Sequence, residues 1–269
     1  MTLLSLGPDA GLYYEYAPPQ DSAGYTFAFF NALTGDTTHW NASIVPALRA
    51  AGHGALVYNM RGQPDSPFSP ATSLDEGLIV SDAVSLLANV QPARPILVGL
   101  SIGGLFAVRA WLAGAPAEGL ALINTLRQDG PRLRWINDAV VRAVEFGGLA
   151  LLGDLYSPML FSEEWLGAHR SEFLGEGRYG PLDPASGHYN LLNHARQADW
   201  NVPYERITLP VLVLTGLQDR VFYVAEVVDR LAARMPRARR ENVANGGHLL
   251  PAEQPYAVTQ ALLEFARTL

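Results

Sequence analysis

Between Pro95 and Trp111 the chain reads PILVGLSIGGLFAVRAW: an apolar run, a serine, and at once an apolar helical pattern. A backbone passing from strand to helix without a loop must turn very tightly, with its junction residue held in a strained conformation. Gly99 and Gly103, two positions either side of Ser101, leave room where a Cβ would collide with neighbouring strands or the helix. The hydroxyl then stands at the carboxyl edge of a sheet, close to a helix N-terminus. That placement suits a nucleophile whose attack creates an oxyanion. An ordinary N-cap serine accounts for the hydroxyl but not for both glycines.

The rest of the chain is organised around the same alternation. Strand-length apolar runs fall at 11–17, 25–33, 54–60, 95–100, 119–124, 209–216 and 239–244. Helical patterns fill the gaps, one of them opened by Ser73 three residues before Glu76, the spacing of a capping box. Central runs apolar on both faces predict an α/β fold, a mostly parallel sheet covered by helices on each side. Residues 125–206 break the rhythm with helical pieces and a Gly/Pro-rich break, RYGPLDPASG. Because strands resume afterwards, the expectation is a core of residues 1–124 and 207–269 with a helical cap inserted at 125–206.

Composition removes several chemistries. The 269 residues include no cysteine and no lysine, all 19 basic residues being arginine. Thiol nucleophiles, thiolate metal sites, Schiff bases and phosphate-loop lysines are therefore excluded. A net charge of −7 matches nucleic acid poorly. The one basic cluster, Asp229 to Arg240, reads as a solvated helix face and the start of a strand. No run is long enough to span a bilayer, and MTLLSLGPDA has neither a basic region nor a cleavage site. The cytoplasm is the expected compartment.

An activated serine needs a base, and the base needs a carboxylate to fix its tautomer. Of six histidines, His248 stands apart, in the glycine-rich VANGGHLLPAEQP between the last strand and the last helix. Such a loop can carry an imidazole over the sheet edge where Ser101 lies. LPVLVLTGLQDRVF delivers Asp219 just past a buried strand, with helix capping as its competing role. Asp36 lies in an earlier loop and reads as a helix-start residue.

With those three motifs in the order Ser101, Asp219, His248, the chain resembles the α/β-hydrolase fold superfamily. VGLSIGG resembles its nucleophile elbow, LTGLQDRV its acid loop, and NGGHLLPAEQP its histidine loop. NMRGQPDSPFSP is similar to its Arg-Gly-x-Gly-x-Ser turn, with Pro64-Asp65 at the usual glycine step. ALINTLRQDG and ARQADWNVPYERITLPVLVL are similar to the enol-lactonase and non-haem-perhydrolase-like branch. The resemblance implies oxyanion donors at the backbone N–H groups of Leu33 and Ile102. Asn31-Ala32 stand where the family usually carries His-Gly. Asn31 is expected to replace the structural hydrogen bonds of that histidine, the alternative being contact with substrate or water.

These features imply a serine hydrolase acting on an ester, lactone or thioester of a small, largely apolar acid. No metal or organic cofactor, nucleic acid or membrane is expected. The alternative is a ligand-binding or signalling relative, or a cofactor-free lyase or oxygenase, with vestigial hydrolysis.

Overall fold

The computed structural model describes residues 2–269. Strands β1 (Thr2–Gly7) and β2 (Ala10–Ala17) form an antiparallel hairpin. They are followed by β3 (Thr26–Phe30), β4 (Gly54–Tyr58), β5 (Pro95–Leu100), β6 (Gly119–Ile123), β7 (Val211–Gly216) and β8 (Ala238–Val243). One sheet takes them in the order β1-β2-β4-β3-β5-β6-β7-β8, with β3 to β8 mutually parallel and β2 antiparallel to β4.

Among the described residues the helices are α1 (Thr38–Asn41), α2 (Ile44–Ala50), α3 (Glu76–Val90), α4 (Ile102–Leu112) and α5 (Pro131–Leu160), then α6 (Glu163–His169), α7 (Gly187–Ala195), α8 (Ala225–Ala232), α9 (Leu250–Glu253) and α10 (Pro255–Ala266). Strand periodicity sorts them onto two faces. Ala28, Leu56, Leu97, Leu122 and Val213 point toward α3, α4 and α8. Phe27, Phe29, Val57, Val98, Ile123 and Leu214 point the other way, toward α1, α2 and α10. Each fully buried Leu or Phe contributes about 1.5–3 kcal/mol. An exposed ion pair contributes about 0–1 kcal/mol, so these two layers hold the fold.

Three details differ from the sequence reading. Strand β1 carries no buried side chain, so the alternation that reveals a half-buried strand is missing. Helix α3 is capped by Asp75, whose carboxylate accepts the Leu78 N–H at 2.9 Å, and not by Ser73. A charged acceptor one residue before the helix suits the positive N-terminal end of the dipole. The last helical stretch is divided into α9 and α10 at Gln254 and Pro255.

Between β6 and β7 the described chain contains no strand. Its longest element, α5, breaks at Gly148, where φ is +65°. Gly147 and Gly148 thus join two helical arms at a sharp kink, the second arm ending at Leu160 beside the loop that carries His248.

Candidate active site

Ser101 occupies the turn between β5 and α4 with φ +57° and ψ −124°, a left-handed conformation rare for a residue with a Cβ. Its N–H donates to the Ile123 carbonyl at 2.8 Å, which ties the turn to β6. A Cβ on Gly99 would strike the Gly104 backbone, and one on Gly103 would strike the Phe30 carbonyl. Both flanking glycines are therefore required by close backbone approach.

Asp219 follows β7 and His248 follows β8, so adjacent parallel strands deliver both side chains to one end of the sheet. His248 Nδ1 and Asp219 Oδ2 are 2.6 Å apart, and both side chains are buried. The other carboxylate oxygen, Oδ1, accepts the Val221 N–H at 3.0 Å and the Phe222 N–H at 2.8 Å. Burial pushes the Asp219 carboxyl up, but the His248 charge and hydrogen bond, the Phe222 N–H and the Arg127 charge outweigh it. Its pKa lies below the ordinary carboxylate value. An ionised Asp219 only accepts, so the proton of a neutral His248 resides on Nδ1 and Nε2 is left free as a base.

Asn124, at the end of β6 with φ +48°, braces this arrangement. Its amide donates to the carbonyls of Gly247 at 3.0 Å and His248 at 2.8 Å, and its Oδ1 accepts the Gly216 N–H at 2.8 Å. One side chain thus bonds the end of β7, which leads into the Asp219 turn, and the loop that carries His248.

Leu33 and Ile102 border the same cavity as Ser101 and His248. The Ile102 N–H, first of its helix, has no intrahelical acceptor. The Leu33 loop is clamped by Gln63, whose Nε2 donates to the carbonyls of Ala32 at 2.8 Å and Leu33 at 3.2 Å. Asn31 is 1% exposed, with both side-chain polar atoms engaged. Its amide donates to Tyr58 O, Asn59 Oδ1 and Gln63 Oε1, and its oxygen accepts Trp40 Nε1–H. That is a structural role for Asn31. In the neighbouring turn Asp65 takes φ +60°, the conformation a glycine would adopt freely.

The cavity measures about 340 Å³ and is walled by Leu152, Tyr156 and Phe161 of the helical segment and its end, with Trp200 and Phe222 beside them. The other five histidines lie away from its wall. Asp36 accepts the Thr38 N–H at 2.8 Å at the start of α1. Trp135 and Phe146 face solvent, 80% and 74% exposed. Among the described residues no group of three His, Asp or Glu side chains is arranged to hold a metal ion.

The sequence reading missed Arg127. Its guanidinium lies buried over the rings of Trp200 and Phe222, 4.5 and 4.2 Å from their centroids. Nη2 donates to Ser101 Oγ at 2.9 Å. Among the described residues no Ser101–His248 hydrogen bond is formed, although both border the cavity. The one signal in the sequence was position: a lone arginine just past the strand end at 119–124.

Comparison with known proteins agrees with this architecture. RutD of Variovorax paradoxus is 24% identical over 266 residues, covering 94% of this chain and 95% of RutD. The 3-oxoadipate enol-lactonase 2 of Acinetobacter baylyi is 25% identical over 243 residues, 87% of this chain and 85% of that protein. The thermophilic esterase of Thermogutta terrifontis superposes with a TM-score of 0.78 at 23% identity, over 99% of this chain and 97% of its own. The model of the alpha/beta hydrolase family matches residues 28–261, and the chain belongs to that family.

Proposed function

We propose that this protein is a serine hydrolase that cleaves a carboxylic ester, lactone or thioester of a small, largely apolar substrate through an acyl-enzyme on Ser101. The observation that carries the reading is the buried His248–Asp219 pair, 2.6 Å apart, opening onto the cavity that Ser101 borders. Nucleophile–base contacts are often loose before substrate binds. In the reaction, His248 Nε2 takes the Ser101 proton as Oγ bonds to the carbonyl carbon. The carbonyl oxygen, now negative, is held by the Leu33 and Ile102 N–H groups. His248 then gives the proton to the leaving group, and the same cycle run with water releases the acid.

Helices α5–α7 act as a cap over the cavity, excluding water and shaping the choice of acyl group. No metal or organic cofactor takes part, and nucleic acid and membranes are not partners; the setting proposed is cytoplasmic. No helix among the described residues is long and apolar enough to cross a membrane.

The test is reaction with a labelled fluorophosphonate, site mapping by mass spectrometry, and p-nitrophenyl acetate turnover. Label is expected on Ser101, with sustained turnover that Ser101→Ala reduces by at least about a thousandfold. Label elsewhere on folded protein, or one slow stoichiometric burst, overturns the proposal and favours a ligand-binding relative.

A further inference from the structure

The geometry points to Arg127 as a catalytic residue: a fixed cation that holds Ser101 Oγ through Nη2 and stabilises that oxygen whenever it carries negative charge. The inference rests on the reading of Ser101 as the nucleophile.

The guanidinium is fixed on three sides. Nε donates to the Thr125 carbonyl at 3.3 Å and Nη2 to the Asn124 carbonyl at 3.0 Å. The rings of Trp200 and Phe222 pack against it. The remaining proton of Nη2 is aimed at Ser101 Oγ, 2.9 Å away. The Nε/Nη2 edge, which would form a bidentate pair with a carboxylate, is thus already committed.

Among the described residues no carboxylate lies within ion-pair distance of this arginine, whose hydrogen-bond acceptors are two carbonyls and a hydroxyl. A buried cation without a counter-ion costs several kcal/mol. Burial lowers the pKa of Arg127 to about 10, with the charge of Asp219 opposing that fall, so it remains protonated at neutral pH. Asp219 is engaged by His248 and two backbone N–H groups and makes no hydrogen bond to the guanidinium, so the hydrogen-bonded acceptor that gains charge during the reaction is Oγ itself.

Negative charge reaches Oγ twice. At attack the Oγ–H proton moves to His248 Nε2, the Oγ–C bond forms, and the carbonyl π pair moves onto oxygen. At release water gives a proton to His248, its oxygen bonds to the acyl carbon, and the Oγ–C bond breaks. Oγ keeps that electron pair and takes the proton back from His248. Arg127 keeps its protons throughout. A hydrogen bond from a cation strengthens as its acceptor gains charge, so it favours these transition states over the neutral serine.

The experiment compares Arg127→Gln and Arg127→Lys with the unaltered protein. Readouts are fluorophosphonate labelling rate, kcat and KM for the neutral ester methyl butyrate and for monomethyl succinate, and thermal melting to verify folding. The labelling rate and kcat for both esters should fall about ten- to a hundredfold in Arg127→Gln, with KM for methyl butyrate nearly unchanged. Arg127→Lys, which keeps the charge, should recover part of that loss. In a His248→Ala background, residual labelling should rise with pH as Oγ ionises, and adding Arg127→Gln should lower it at least tenfold. A labelling rate and kcat within twofold of the unaltered protein in a folded variant overturn the proposal. So does a loss confined to KM for monomethyl succinate, which would make Arg127 a substrate anchor. Turnover that survives Ser101→Ala would instead remove the reading on which the inference stands.

Discussion

Asp219 spends one oxygen on His248 and the other on two backbone N–H groups, so it fixes the ring while being fixed itself. Asp219→Asn would offer an amide in place of one acceptor and favour the wrong imidazole tautomer. The expected result is a fall in kcat of about 10⁴ with folding retained, read by steady-state kinetics and circular dichroism. The depressed pKa of Asp219 also links it to stability. A carboxyl whose folded pKa lies below its unfolded value of about 3.9 contributes stability that is complete above that value. The contribution is lost as pH falls through the folded value. Between pH 6 and pH 3 the urea midpoint of the unaltered protein should therefore drop further than that of Asp219→Asn. Equal drops would show that the carboxylate is not coupled to folding. Ser101, Asp219 and His248 were legible because each sits in a turn whose composition the backbone geometry dictates. Arg127 was not, because its burial depends on Trp200 and Phe222, more than seventy residues further along the chain.

Elements were legible where a buried face imposed a period. The parallel strands β3 to β7 read clearly because both faces are covered. Strand β1 was hidden because, at the sheet edge, none of its own side chains is buried. In the helical segment the kink at Gly148 was not legible, because it depends on a segment some thirty residues further along the chain. A Cβ at position 148 would lie 2.5 Å from the Gly180 carbonyl, in a backbone conformation that disfavours side chains. Gly148→Ala should cost about 1–3 kcal/mol, measured as a shift in denaturant midpoint. It should also raise KM several-fold, because Leu149 and Leu152 of the following arm border the cavity. An unchanged KM would mean that the kink does not shape the pocket.

At the scale of the molecule, a single carboxylate joins the helical segment to the histidine loop. Glu253 accepts the Ser162 N–H at 2.7 Å and, through both oxygens, the Gly247 N–H at 3.0–3.1 Å. Glu253→Ala removes both attachments and leaves two N–H groups without this acceptor. A loss of about 1–3 kcal/mol in thermal or chemical unfolding is expected, together with a lower kcat as His248 loosens. A fall in stability with kcat unchanged would show that this acceptor does not help to hold the imidazole.

The backbone adds a tie of its own: the His248 N–H donates to the Leu160 carbonyl, where the second arm of α5 ends. A roof raised at that end would pull away from the wall bearing the imidazole. Under the proposed mechanism, lifting that end would remove one of the bonds that seat the proposed base, while the Asn124 and Asp219 contacts stay in place.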